Sequence, residues 1–230
     1  DDMQKRSLDT CTKDYLERIL RLKPEFSEGL QGLAYSSGRS GLSPRLVVQA
    51  LDLTQKILRG TYRYSNGEEQ IVLEDGKYVK INFSSSGQQE CVWILNLLFY
   101  YLVQQKEILF IIEEPESHLF PESQKYITEL IALVNNCGHS IVLTTHSPYV
   151  LGTLNNLLYA KTISPQARKE ANKIIRESLW LDYNAFDSWF VKNGTIEYIF
   201  DSDGVTTIFE PEYVTSKYKW DAFQWWCVFK

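Results

Sequence analysis

Ile108-Leu109-Phe110-Ile111-Ile112-Glu113-Glu114-Pro115-Glu116 is an apolar run that ends directly on carboxylates. The run reads as a buried strand, because a short apolar stretch without polar alternation has both faces covered. A second run, Ile141-Val142-Leu143-Thr144-Thr145, leads into His146-Ser147-Pro148, and a helical stretch from Glu122 to Asn135 separates the two. Upstream, the small polar loop Ser84-Ser85-Ser86-Gly87-Gln88-Gln89 opens into an apolar helix from Gln88 to Gln104. Apolar strands alternating with helices predict an α/β fold built on a parallel sheet.

In such sheets, ligand-binding and catalytic groups gather at the carboxyl ends of the strands. Glu113 and Glu114 on one strand and His146 on the next would share a rim, and two adjacent acids suit magnesium and water handling. The loop Ser84, Ser85, Ser86, Gly87 and Gln88 offers an anion site, through the free amides and positive dipole end of the helix it opens. Singly, each signal is common: a solvated acidic loop, a satisfied loop histidine, a serine-glycine N-cap. Their order and spacing are what single them out.

Outward from this core, Leu8 to Leu22 has helical spacing and Pro24 ends it. Gly29 to Ser43 reads as a glycine- and serine-rich loop, and Pro44 to Leu58 as a helix stopped at Gly60. Thr61 to Tyr64, Gln70 to Leu73 and Tyr78 to Phe83, punctuated by Asn66-Gly67 and Asp75-Gly76, predict a small antiparallel meander. Beyond the second strand come a charged helical run, Gln166 to Ser178, and a hairpin region with turns at Asn193-Gly194 and Asp203-Gly204. The expected organisation is a helical and meander arm over 1–82, an α/β core over 83–160, and a helix and hairpin extension over 161–230.

The chain has 230 residues, 44% of them hydrophobic, so a sizeable core is available. Its net charge of −5 gives no bulk attraction for a phosphate backbone, so nucleic acid would need a local patch. Cys11, Cys91, Cys137 and Cys227 form no CxxC pair, which argues against a zinc site or disulfide scaffold and for a reducing cytoplasm. Val92 to Val103 is about half the ~20 residues that span a bilayer, so no membrane association is expected. A start at Asp1-Asp2, without Met or a signal-like run, suggests a piece of a longer protein.

The ordered set of loop, helix, acid-ended strand, helix and histidine-ended strand resembles the second half of ABC-class P-loop ATPases. It is closest to the AAA-type branch containing RecF, SMC and OLD proteins, and the resemblance is dense from Phe83 to Leu151. Ser84 to Gln89 looks like the signature motif, Ile108 to Glu114 like Walker B, Pro115 to Pro121 like the D-loop and Thr144 to Pro148 like the switch-histidine segment. The helix from Gln88 to Ile94 lacks the arginine-rich continuation of transporter ATPases.

The resemblance implies ATP and Mg2+ as cofactors, with Glu113 holding magnesium through water, Glu114 polarising the attacking water and His146 contacting the γ-phosphate. Ser84, Ser85, Ser86, Gly87 and Gln88 would close over nucleotide held by the opposite subunit of a homodimer. Glutamate at position 113, where aspartate is commoner, is a departure. The implied role is a dimerising ATPase switch in DNA repair or anti-phage defence, acting on DNA or an effector protein. A non-catalytic scaffold of the same fold is the alternative, and retention of Glu114 and His146 counts against it.

A phosphate loop of the form G-x-x-x-x-G-K-[ST] is not recognisable. Gly32 to Ser40 comes nearest, but has an extra residue between its glycines, arginine for lysine and no strand before it. The family pattern therefore implies that a Walker A lobe N-terminal to Asp1 is this chain's partner, and that these residues alone are inactive. Asp201-Ser202-Asp203 could suggest a TOPRIM nuclease metal site, but Asp203-Gly204 reads better as a hairpin turn.

Overall fold

The computed structural model describes residues 10–36, 41–199 and 223–229. Helix α1 (Thr10–Leu22) presents one buried residue, Ile19, and continues through a 3-10 turn at Lys23–Phe26 that contains Pro24. Of the segment expected to be a loop, Gly29–Ser36 is instead helix α2, while residues 41–43 carry no regular structure. Buried Leu30 and Leu33 pay for the poor helix propensity of its glycines. Gly32 sits where a Cβ would lie 2.1 Å from that of Glu28, so the backbone approach needs a glycine there. The near-match to a phosphate loop thus falls partly on this helix, while Ser37 to Ser40 lie outside the described residues.

Helix α3 (Pro44–Leu58) starts on Pro44 and ends at Arg59, whose left-handed φ of 50° performs the stop expected of Gly60. Gly60 serves packing: a Cβ there would stand 2.7 Å from Ile71 Cγ2 and from the Val72 carbonyl. Strands β1 (Thr61–Ser65), β2 (Glu68–Val72) and β3 (Tyr78–Lys80) form the antiparallel meander, although Ile81–Phe83 leave it as a 3-10 turn.

Helix α4 (Ser86–Gln104) buries ten residues, including Leu95, Phe99 and Leu102. Strand β4 (Leu109–Glu113) follows, then α5 (Pro121–Asn136) and β5 (Ser140–Thr145), and β4 and β5 pair in parallel. An unanticipated helix, α6 (Pro148–Thr162), leaves β5 with Ser147 as its N-cap. The charged run after it is helical only over α7 (Arg168–Ile174). Strands β6 (Phe186–Lys192), β7 (Thr195–Tyr198) and β8 (Phe223–Phe229) are antiparallel and join β4 and β5 in one mixed sheet of order β4-β5-β8-β6-β7. Asp201 to Asp203 lie outside the described residues.

Period-two alternation sorts this sheet into two unlike faces. Ile112, Ile141, Leu143, Phe186, Phe190, Cys227 and Phe229 are buried in one cluster with α5 and α6. On the other face Leu109, Ile111 and Trp226 are exposed by 60%, 71% and 41%. The expectation that the strand before Glu113 is buried on both faces is therefore corrected: among the described residues, helices cover only one. No helix of the described residues is long and apolar enough to cross a membrane.

Burial also sets thiol and imidazole chemistry. Cys91 and Cys137 are free, and burial pushes their thiols up to about 12 and about 11. His139, only 2% exposed and 5.8 Å from the Phe110 ring, is held below the ordinary imidazole range by desolvation, with Glu107 opposing more weakly. A depressed folded value favours the neutral ring in the native state, so this contribution is complete above the unfolded value and lost as pH falls through it. Urea unfolding midpoints are expected to drop as pH falls from about 6.5, the ordinary histidine value, toward the depressed folded one. In His139→Phe that part of the slope disappears.

Candidate functional site

At the end of β4, Glu113 pairs in register with Thr144 of β5 and is exposed on the uncovered face that also carries Leu109 and Ile111. The next residue turns the chain. Glu114 has φ 43°, and its amide donates to the Thr144 carbonyl at 3.0 Å, fixing the corner against β5. A left-handed φ is uncommon for a side-chain-bearing residue and costs energy that the surrounding bonds must offset. Ser117 N–H donates to the Glu114 carbonyl and Leu119 N–H to that of Glu116, both at 3.0 Å, so 114–119 form consecutive tight turns. His118, with φ 56°, closes them and pairs through Nδ1 with Glu90 of α4 at 2.8 Å.

His146, one residue beyond β5, brings Nε2 to 3.1 Å from Glu114 Oε1. Both side chains are nearly half exposed, 47% and 42%, so solvent reaches them. A contact so exposed contributes little to stability. Its consequence is orientational, since it holds a carboxylate and an imidazole at the carboxyl ends of adjacent parallel strands.

The Ser84–Gln88 loop is organised by its own side chains. Ser85 caps α4: its Oγ accepts from Gln88 N–H at 3.3 Å while Gln88 Oε1 accepts from Ser85 N–H at 3.0 Å, a reciprocal capping box. Gln88 Nε2 also donates to the Leu58 carbonyl at 2.6 Å, which ties the loop to the end of α3. Ser84 Oγ donates to the Ile81 carbonyl. Ser86 and Gly87, the first two residues of α4, keep the outward-pointing amides of a helix start. Gly87 is pressed against the 114–119 turns, where a Cβ would lie 2.5 Å from the His118 carbonyl oxygen. Signature-like loop and acidic turn are therefore in van der Waals contact.

Several residues that hold this arrangement were not anticipated. Glu116 is 7% exposed, and its Oε1 accepts from the Thr145 hydroxyl and, at 2.9 Å, from His146 N–H. Ser147 caps α6, accepting from Tyr149 and Val150 N–H, and its hydroxyl donates to Gln124 Oε1. Gln124 Nε2 in turn reaches the Leu119 carbonyl at 2.8 Å. The available signals were an acid beside Pro115 and the Ser147-Pro148 helix start, neither of which reveals a partner.

Among the described residues, no group of three or more acids, histidines and cysteines could cage a metal.

Comparison with known proteins places these features in a family context. The sequence profile of the AAA ATPase domain family matches residues 4–151, a span that includes Ser84–Gln88, Glu113, Glu114 and His146. Over 98 residues the chain is 31% identical to the cytochrome c biogenesis ATP-binding export protein CcmA of Bartonella quintana (strain Toulouse), covering 43% of this chain and 45% of that protein. The match thus spans less than half the length of that relative. No solved structure matches the chain.

Proposed function

This chain belongs to the AAA ATPase domain family, and from that premise we propose that it supplies the water-activating and signature half of an ATP-hydrolysing site. The observation that carries the reading is the Glu114–His146 pair, 3.1 Å apart at the ends of adjacent parallel strands. ATP is the nucleotide in the name of the similar ATP-binding export protein CcmA. In this reading Glu114 Oε1 orients the attacking water and takes up its proton, while His146 Nε2 hydrogen-bonds the γ-phosphate when nucleotide is bound. Catalysis of this kind is mainly positioning and electrostatics. Glu113 would hold Mg2+ through its waters, and the ion supplies charge neutralisation on the phosphates. Glutamate has the reach for an outer-shell contact.

The phosphate cradle itself comes, in this proposal, from a Walker A lobe outside these 230 residues. The sheet face that no helix of the described residues covers supports it: Leu109, Ile111 and Trp226 form an apolar surface beside Glu113, where sheets of this class carry a second layer. The Ser84–Gly87 loop would then close over nucleotide held by a second copy, making the protein a dimerising switch. DNA or an effector protein, in repair or anti-phage defence, is the proposed target of that switch.

Substitutions on the bare face test the lobe directly. Leu109→Asp with Ile111→Asp should leave the thermal midpoint of the 230-residue chain nearly unchanged, because both side chains are already exposed. In a version extended upstream, the same pair should abolish Mg-ATP binding measured by calorimetry. Undiminished binding there would refute the docking of a phosphate-loop lobe on this face.

A further inference from the structure

We propose that Glu116 is a positioning residue: a buried carboxylate latch that sets the Glu114–His146 geometry by holding residues 145–147 against the turn that carries Glu114. The inference rests on the ATPase reading for its consequence, but not for its geometry. Glu116 lies two residues beyond Glu114 on the same tight turn, whose Ser117 amide bonds back to the Glu114 carbonyl. Its Oε1 accepts from the Thr145 hydroxyl and from His146 N–H, and Thr145 Oγ1 accepts in turn from Ser147 N–H at 3.0 Å. Three consecutive positions, including that of His146, are thereby referenced to one oxygen atom.

Stability alone is a poor account of this carboxylate. Glu116 is 7% exposed, it has no ion-pair partner among the described residues, and its Oε2 is buried without a hydrogen-bond partner. Burying a carboxylate without a cation is costly, and a well-packed apolar side chain of similar volume would serve stability better. From the far side β8 presents Cys227, fully buried, whose thiol is pushed up by desolvation and by the charge of Glu116. A residue kept at such cost, with both bonded donors in the histidine-bearing segment, acts on that segment's position. Its influence on chemistry passes through the backbone of His146, whose N–H it holds.

The experiment compares Glu116→Gln, Glu116→Ala, Thr145→Ser and Thr145→Val in two assays. In the 230-residue chain, ring-nitrogen NMR of 15N-histidine reads the tautomer of His146. The latched chain should show a single Nε2–H form donating to Glu114. Gln and Ser keep an acceptor at 116 and a hydroxyl at 145, and should preserve that signature. Ala and Val should give mixed tautomers. Thr145→Val keeps Glu116 and the side-chain volume, so it reads the latch even if Glu116→Ala fails to fold.

In the extended, nucleotide-binding protein, Glu116→Ala should lower kcat about 10²-fold, the scale of an ångström misplacement, with the KM for ATP within about twofold and Glu116→Gln restoring kcat. An unchanged tautomer in Thr145→Val and Glu116→Ala overturns the latch, as does a Glu116→Gln that behaves like Ala, since charge would then be the requirement. A normal NMR series alongside an extended protein that never hydrolyses ATP would sink the ATPase reading and leave the latch standing.

Discussion

Replacing Glu114 by Gln in a protein extended to include its phosphate loop is expected to reduce ATP turnover by about 10²- to 10⁴-fold, the usual contribution of a positioned base. The substitution is nearly isosteric, and the Glu114 backbone keeps its 3.0 Å bond to Thr144. The corner at the end of β4 should therefore survive, and so should the His146 contact, now to an amide oxygen. What is lost is the negative charge that, in the proposed function, orients water and accepts its proton. Nucleotide binding should persist or tighten, trapping the ATP-bound dimer. Single-turnover hydrolysis and size-exclusion chromatography with Mg-ATP measure both halves of this expectation. Turnover at the native rate would remove Glu114 from the chemistry.

The second large effect is expected at Gly87→Ala, for a steric reason. A Cβ at this position would stand 2.5 Å from the His118 carbonyl oxygen and 3.1 Å from its carbon and from Leu119 Cδ2. The nearest obstacle is backbone, which cannot rotate aside, so α4 and the 114–119 turns must separate by about an ångström to reach ordinary contact distance. Alanine gains up to ~1 kcal/mol of helix propensity over glycine, which offsets part of the ~1–3 kcal/mol typical of overpacking. The fold should survive with a modestly lowered thermal midpoint. Function should suffer more, because the displaced turns carry Glu114, and a shift of that size costs about 10²-fold in rate. Gly152→Ala in α6 is the control, since its Cβ would meet nothing within 4 Å.

Much of the core was legible because its signals are local. The apolar runs ending at Glu113 and Thr145 and the helix between them depend on burial patterns that sequence periodicity records. Contact between Glu114 and His146 follows from strand adjacency in a parallel sheet, so it too was within reach. Helix α6 was overlooked although Ser147-Pro148 and the spacing of Val150, Leu151, Leu154, Leu157 and Leu158 announce it. Helix α2 was obscured by glycines whose role is close approach rather than turning. Pairing of β8 with β5 and β6 joins segments far apart in the chain, and no local pattern encodes such partners. Exposure of Leu109 and Ile111 was likewise invisible, since an apolar side chain does not say what covers it. Gln88 and Glu116 make the same point for polar groups: their bonds to Leu58, Thr145 and His146 depend on tertiary placement.

In the proposed function these residues complete a site whose phosphate grip lies elsewhere. Calorimetric titration of Mg-ATP into the 230-residue chain, and into a version extended upstream to include a strand and phosphate loop, tests this most directly. Binding is expected to be absent or weaker than about millimolar in the first, and in the micromolar range in the second, a difference of about 4 kcal/mol or more. Micromolar binding by the 230-residue chain alone, or no binding by the extended protein, would contradict it.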